Sequence, residues 1–122
     1  MMPFSPDRIV RLRVYVGESI AIGPGKAMLL EAINETGSIS AAGRKLNMSY
    51  RKAWLVVKDM NKFFKEPLVE ASKGGAHGGG ARLTEMGHDA LKRYRQLESL
   101  AWNSISSPIQ DFKTLLVEQD SI

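Results

Sequence analysis

The chain has 122 residues, the size of one ordinary domain and too few for two. Its composition is 43% hydrophobic and 25% charged, which is normal for a globular protein and argues against wholesale disorder. It contains no cysteine, so disulfides, thiolate zinc sites and a cysteine nucleophile are excluded. Its longest uncharged stretch, Ser99 to Gln110, is too short and polar to cross a membrane, and residues 1–6 lack a secretion signal. We therefore expect a soluble, cytoplasmic domain.

Positive charge is concentrated in the middle of the chain. The net charge is +4, from 17 Lys and Arg against 13 Asp and Glu. Nine basic and three acidic residues lie between Arg44 and Arg82, whereas one basic and three acidic residues follow Ser99. A basic centre beside a slightly acidic tail is typical of a surface that binds a polyanion. A merely solvated charge pattern is the alternative.

The first third of the sequence predicts two short strands and a helix. Apolar residues alternate over 10–16, which is the period of a half-buried strand. Gly17 favours a turn into a second strand over 19–22, and a helix is expected over about 26–35, with Gly37 as its stop. The apolar side of this helix consists of Met28, Leu29, Ala32 and Ile33.

Two capped helices follow and form the strongest signal in the sequence. Ser38 is a good N-cap for a short second helix, and Ser49 caps a third helix over about 49–64. The apolar stripe of the third helix consists of Ala53, Val57, Met60 and Phe64. The outward stripe consists of Arg51, Leu55, Lys58 and Lys62. Two helices joined by a tight turn, the second with an outward basic face, predict a helix-turn-helix unit.

A hairpin and a long helix complete the predicted fold. Strand-like segments flank a glycine-rich run, so residues 68–84 predict the wing of a winged helix. Thr84 caps a long helix, which Pro108 is expected to interrupt. We predict a mainly α fold with a small β wing, a winged helix-turn-helix with a long C-terminal dimerisation helix. This domain occupies residues 1–104, and a tail occupies residues 105–122.

The start of the third helix carries side chains that suit base edges in the major groove. Arg51 can present two parallel donors to guanine, and Ser49 and Tyr50 can reach a phosphate or a thymine methyl group. Ordinary basic surface helices are common, but here a capped helix precedes and a wing follows, which favours DNA binding. The candidate DNA-binding residues are Ser38, Ser40, Arg44, Ser49, Tyr50, Arg51, Lys52, Lys58, Lys62, Lys73 and Arg82.

The glycine-rich run is not a nucleotide-binding loop. It lacks the Gly-Lys-Ser/Thr ending of a phosphate loop and the spacing of a dinucleotide fingerprint. Lys73, His77 and Arg82 suit a wing tip on the DNA backbone or minor groove, with a plain loop as an equal alternative for His77. His77 and His88 are the two histidines and form no ligand set or nucleophile–base pair. We expect no metal, no cofactor and no enzyme activity.

Two tryptophans have different predicted roles. Trp54 borders the apolar stripe of the third helix and is expected in the core rather than on a base. Trp102 lies near the end of a long helix with two apolar faces, which favours a partner helix and a homodimer. The candidate dimer contacts are Leu91, Tyr94, Glu98 and Trp102.

Four segments together resemble a known family: Leu29 to Ala42, Met48 to Trp54, Glu66 to Val69 and Gly78 to Thr84. They are similar to the N-terminal DNA-binding domain of ModE-type molybdate-responsive transcription regulators and, more distantly, to the LysR-type winged helix. The resemblance covers most of the chain, and its Ser-Tyr-Arg-Lys-Ala-Trp segment is specific. It implies a homodimeric winged-helix regulator with its recognition segment at 49–58 and its wing at 72–82.

The sequence departs from this family at three points. Ala71 stands where relatives often have a basic residue, and Gly43 stands where alanine is usual. The part after about Trp102 is too short for a molybdate-binding domain. We therefore expect DNA binding without molybdate sensing.

Three functions remain open at this point. The preferred one is a sequence-specific regulator that binds double-stranded DNA as a homodimer, with recognition helices about 34 Å apart. The alternatives are a winged-helix adaptor that partners a separate sensor and a stand-alone molybdate-responsive regulator. The sequence does not identify an operator or an effector.

Overall fold

The structure is a computed structural model that describes residues 10–72 and 80–118. This part of the chain contains four helices and two antiparallel strand pairs, as predicted for a winged helix-turn-helix. The elements in chain order are β1 (Val14–Val16), β2 (Ser19–Ile22), α1 (Pro24–Thr36), α2 (Ile39–Lys45), α3 (Tyr50–Lys62), β3 (Val69–Ser72), β4 (Gly80–Leu83) and α4 (Glu85–Lys113).

The chain divides into two compact units, one of residues 11–94 and one of residues 95–122 with the first ten residues. The first unit contains the hydrophobic core, whose largest fully buried side chains come from α1, α3, α4 and the segment before β3. Within the described ranges, no helix combines the length and apolar character needed for a bilayer crossing. The largest fully buried side chains are Tyr94, Leu29, Leu30, Ile33, Met60 and Leu68.

Helix α1 begins two residues earlier than predicted, because Pro24 occupies its first turn, where the missing amide donor of proline is not needed. Gly37 ends the helix with φ 72°, a left-handed conformation that favours glycine, as predicted. The predicted apolar side is wrong at one position, since Met28 is 39% exposed and Leu30 is buried instead. Residues 27–30 are all apolar, so their pattern alone does not show which side chain faces solvent.

The β1–β2 hairpin is shorter and more exposed than predicted. A strand forms over 14–16, within the expected range of 10–16, but it covers only three residues and all of them are exposed, so the expected length and half-burial are wrong. These two strands form a sheet of their own. Leu12, which precedes β1, is the residue of this segment that packs against the core. Gly17 makes the turn with φ 60°.

A tight turn joins α2 to α3. Asn47 adopts φ 59°, which asparagine tolerates better than most residues, and the Met48 amide donates to the Gly43 carbonyl at 2.7 Å. A Cβ at Gly43 would lie 3.1 Å from the Met48 carbonyl oxygen and 3.3 Å from the Ala53 Cβ. Glycine at this position therefore lets the two helices approach closely.

The wing strands pair in antiparallel register, with Val69 opposite Leu83 and Ser72 opposite Gly80. Strand β4 is tied to the end of α1, because the Ala81 amide donates to the Gly37 carbonyl at 2.9 Å. Thr84 caps α4 as predicted, since its hydroxyl accepts a hydrogen bond from the Gly87 amide at 3.0 Å. The predicted wing tip, residues 73–79 with Lys73 and His77, lies outside the described residues.

Helix α4 continues through Pro108 to Lys113, so the predicted interruption at this proline is wrong. Proline removes one backbone hydrogen bond, but the apolar residues Ile105, Ile109 and Phe112 continue at helical spacing on both sides of it. The division at residue 104 falls within this helix, and it stays a prediction.

Candidate nucleic-acid interface

The first turn of α3 presents three exposed side chains: Tyr50, Arg51 and Lys52. The helix starts here because the Ser49 hydroxyl accepts a hydrogen bond from the Lys52 amide at 3.1 Å, which satisfies one free donor of the first turn. Tyr50 is 57% exposed. Ser49 is also exposed, but its hydroxyl already serves as the cap.

The outward face of α3 carries the predicted basic stripe, which we call the basic face: Arg51, Leu55, Lys58 and Lys62. All four side chains are exposed, and Ala53, Val57 and Met60 on the opposite side are buried. Arg51 and Lys58 have no ion-pair partner within the part of the chain that the structure describes. Their charge is therefore available to a polyanion.

Trp54 is not in the core, so this expectation is wrong. It is 41% exposed, and the Lys58 Nζ lies 5.1 Å from the centroid of its ring, a cation–π contact. It lines a groove of about 480 Å³ between α3 and the wing strands, together with Tyr50 and Val69. The sequence places Trp54 beside the apolar stripe, but it does not show which flank of the helix another element covers.

Lys62 and Asp59 form an ion pair at the end of α3. Asp59 accepts from Lys62 and from Lys26 of α1, each at 3.2 Å. Partial burial raises the pKa of Asp59, but the hydrogen bonds and charges of Lys62 and Lys26 outweigh this effect and hold the pKa below its usual value. Asp59 therefore stays ionised and offsets part of the local positive charge.

Ser38 precedes helix α2 as its N-cap, and Ser40 and Arg44 lie on the helix. The Ser38 hydroxyl accepts from the Ala41 amide at 3.0 Å and so caps the helix, as predicted. The Ser40 hydroxyl accepts from the Arg44 guanidinium at 2.9 Å. Ser40 and Arg44 thus form one polar patch on the surface of α2.

Arg82 lies exposed on β4, opposite Glu70 of β3. Its Nε donates to the Glu70 carboxylate at 2.8 Å. Cross-strand pairs of opposite charge stabilise a hairpin, but they also reduce the positive charge that a wing offers to a phosphate. Lys73, the other basic residue predicted for the wing, lies outside the described residues.

Asn61 connects α3 to the wing, and sequence reasoning missed it. Its Oδ1 accepts from the Leu68 amide at 2.8 Å and from the Val69 amide at 3.2 Å. Its Nδ2 donates to the Val69 carbonyl at 3.1 Å. These bonds fix β3 against α3. No local pattern marks a side chain whose partners come from a strand folded back onto the helix.

The four predicted dimer contacts have different environments. Tyr94 is 1% exposed, and its hydroxyl donates to the Leu12 carbonyl at 2.7 Å. This placement in the core of its own chain corrects the expectation that Tyr94 contacts a second subunit. Glu98 is buried and accepts from Arg95 at 2.6 Å. Leu91 packs partly against the core, and Trp102 is half-buried.

Residues 26–88 match the family model described as "Bacterial regulatory helix-turn-helix protein, lysR family". The match starts in α1 and ends in the first turn of α4, so it spans the helix-turn-helix and the wing. The chain belongs to this family.

Within residues 10–72 and 80–118, no cluster of three metal-ligating side chains occurs.

Curated relatives include the ModE-type regulators that the sequence resembles. The chain is 43% identical over 77 residues to the molybdenum-pterin-binding protein MopA of Rhodobacter capsulatus, covering 63% of this chain and 29% of that protein. It is 31% identical over 100 residues to the DNA-binding transcriptional dual regulator ModE of Escherichia coli, covering 80% and 38%. The chain thus spans about a third of the length of these relatives.

A solved structure has the same fold. The CbnR DNA-binding domain, from its complex with DNA, matches with a TM-score of 0.56 and 24% identity, covering 71% of this chain and 94% of that domain. The shared fold is the winged helix-turn-helix.

Proposed function

We propose that this protein is a transcriptional regulator that binds specific sequences of double-stranded DNA as a cytoplasmic homodimer. The observation that carries the proposal is the basic face of α3, where Arg51 and Lys58 are exposed and without an ion-pair partner in the described part of the chain. An α-helix fits the major groove, and side chains at the start of a recognition helix reach base edges.

The residues of α3 have different proposed roles. Arg51 reads a guanine, because its guanidinium can donate two parallel hydrogen bonds to O6 and N7. Ser49 and Tyr50 contact phosphate or a thymine methyl group from the start of the helix, and Lys52 contacts phosphate. Lys58 and Lys62 bind backbone phosphates and so supply affinity that does not depend on sequence.

The flanking elements supply further backbone contacts. On α2, the hydroxyls of Ser38 and Ser40 and the guanidinium of Arg44 bind phosphate. On the wing, Arg82 contacts the backbone or the minor groove, for which it must exchange Glu70 for a phosphate. The anchoring of β3 by Asn61 supports this role, because it holds the wing at a set position beside α3.

Helix α4 supplies the proposed dimer contact. The large apolar side chains Leu97, Leu100 and Phe112 of this helix are exposed, and Trp102, which lies among them, is half-buried. Exposed apolar surface of this kind marks an association site. Of the four predicted dimer contacts we keep Leu91 and Trp102, because Tyr94 and Glu98 are buried within their own chain.

A mobility-shift assay with duplex DNA of random sequence, titrated with salt, tests the proposal against a protein-interaction adaptor. We expect retention at low salt that weakens steeply as salt rises, since bound lysine and arginine release counterions from DNA. Lys58→Ala should flatten this dependence, whereas Lys92→Ala, which removes an exposed lysine of α4, should not. Absence of salt-dependent retention would favour the adaptor.

A thermal-unfolding measurement tests the molybdate-responsive alternative. A ligand that binds the native state must raise the melting temperature. We expect molybdate to leave the melting temperature of this chain unchanged. An increase that saturates with molybdate concentration would establish an oxyanion site and overturn the expectation.

A further inference from the structure

A second basic surface lies near the end of α3. A cleft of about 510 Å³ opens between the β1–β2 hairpin, the start of α1 and the last turn of α3. We call it the hairpin cleft. Four cationic side chains and two carboxylates line it: Arg11, Arg13, Lys26, Lys62, Glu18 and Asp59. None of the roles proposed above uses Arg11 or Arg13.

The carboxylate of Asp59 is already paired inside this cleft. Its two oxygens accept from Lys26 and from Lys62, each at 3.2 Å, and Lys26 also donates to the Ile20 carbonyl. Arg11 and Arg13 are exposed, and neither has a hydrogen-bond or ion-pair partner among the residues that the structure describes. Two guanidinium groups are therefore free to bind an external anion.

Close packing at Gly23 sets the position of Arg13. A Cβ at Gly23 would lie 3.2 Å from the Arg13 Cγ, so the aliphatic stem of Arg13 packs directly against the start of α1. Packing of the stem reduces the conformational freedom that the guanidinium loses when it binds a ligand. A guanidinium also matches the geometry of a phosphate, to which it can donate two hydrogen bonds.

We propose that the hairpin cleft binds backbone phosphates of the DNA that flanks the site read by α3. Lys62 belongs both to the basic face and to the lining of the cleft, so the two surfaces are continuous. A duplex held along α3 can thus extend onto Arg11 and Arg13. Contacts to phosphate carry no base information, so the cleft adds affinity but no sequence preference. This inference rests on the proposed DNA binding.

The test compares two duplexes and two double variants. The duplexes share one selected binding site, and one of them extends it by about 10 base pairs on each side. The variant Arg11→Gln with Arg13→Gln keeps the methylene stems and removes both charges. The control Lys92→Gln with Arg93→Gln removes the same charge from α4, at residues that do not line the cleft. Thermal unfolding confirms that both variants are folded.

We expect the wild type and the control to bind the longer duplex about tenfold more tightly than the shorter one. The cleft variant should lose this increment. Its slope of log affinity against log salt should fall by about 3.6 for the dimer, which loses two phosphate contacts in each subunit at about 0.9 for each phosphate. Its ratio of affinities for the selected and a scrambled site should be unchanged.

Three results would overturn the inference. The first is equal wild-type affinity for both duplexes. The second is that inorganic phosphate raises the melting temperature through Arg11 and Arg13, while the length of the duplex has no effect on affinity. The cleft would then be a site for a free oxyanion. The third is a cleft variant that matches the control. If the short duplex binds normally in any of these cases, the proposed function stays intact. If neither duplex binds, both the inference and the proposed function are overturned.

Discussion

Gly87, in the first turn of α4, packs against the backbone of Leu68. A Cβ at Gly87 would lie 2.1 Å from the Leu68 carbonyl oxygen and 3.0 Å from its carbonyl carbon. The same carbonyl accepts a hydrogen bond from the Thr84 amide at 2.9 Å. This contact brings α4 against the segment that leads into the wing, and a side chain at position 87 would force them apart.

Gly87→Ala should therefore lower the free energy of unfolding by about 1–3 kcal/mol, because backbone must move to make room. Gly25→Ala is the matched control, since nothing lies within 4 Å of a Cβ there and the residue is in the first turn of α1. We expect that change to be neutral or to stabilise by about 0.5 kcal/mol. Urea unfolding of the two variants measures both values, and equal effects would contradict the close packing.

The bonds between Asn61 and the wing predict a second stability effect. Asn61→Ala leaves the backbone groups of Leu68 and Val69 without their partners, which should cost about 1–3 kcal/mol. The variant should also bind DNA more weakly under conditions in which it is still folded, because the wing loses its anchor on α3. Asn34→Ala, at an exposed position of α1, should change the free energy of unfolding by less than about 0.5 kcal/mol. Urea unfolding and a mobility-shift titration of both variants measure these effects.

Much of this fold follows from local sequence chemistry, and its tertiary contacts do not. Ser38, Ser49 and Thr84 cap helices as predicted because a cap depends on residues within one turn. The hydrogen bonds of Asn61 and the exposure of Trp54 depend on where β3 packs, and no pattern within α3 encodes this position. Pro108 does not end α4, since one missing hydrogen bond does not stop a helix whose apolar spacing continues.

The candidate site likewise combines features that local sequence predicts with features that only tertiary contacts determine. The basic face is predictable because helical periodicity places Arg51, Lys58 and Lys62 opposite the buried stripe. The hairpin cleft is not, because Arg11 and Arg13 are far from α3 in sequence and reach Lys62 only in the folded chain. The Arg82–Glu70 pair likewise needs the register of the wing strands.

Asp59 predicts a dependence of stability on acid pH. Its pKa is lowered in the folded protein, so the unfolded chain binds more protons, and the contribution of Asp59 is lost as pH falls below about 4. Urea unfolding across this range should show a shallower decline for Asp59→Asn than for the wild type. Asp111→Asn, which removes an exposed carboxylate of α4, should keep the wild-type profile. Identical slopes for all three proteins would show that the Asp59 ion pairs contribute nothing.

Leu55 predicts a contact with a thymine methyl group. It is 45% exposed in the middle of the basic face, between Arg51 and Lys58. Replacing single thymines of the binding site by deoxyuridine should weaken wild-type binding about fourfold at one position, the value of one buried methyl group. Leu55→Ala should bind both duplexes equally. The control Leu116→Ala should retain the wild-type difference, and a Leu55→Ala protein that also retained it would exclude this contact.

The central claim is that α3 reads DNA sequence through Arg51, and selection of bound duplexes from a random pool tests it most directly. The wild type should enrich a near-palindromic site whose half-sites are about one helical turn apart, with a guanine at a fixed position in each. Arg51→Ala should lose about 1–3 kcal/mol of affinity for this site and its preference for that guanine. Enrichment of the same site with the same base preference by Arg51→Ala, or of no site by the wild type, would contradict the claim.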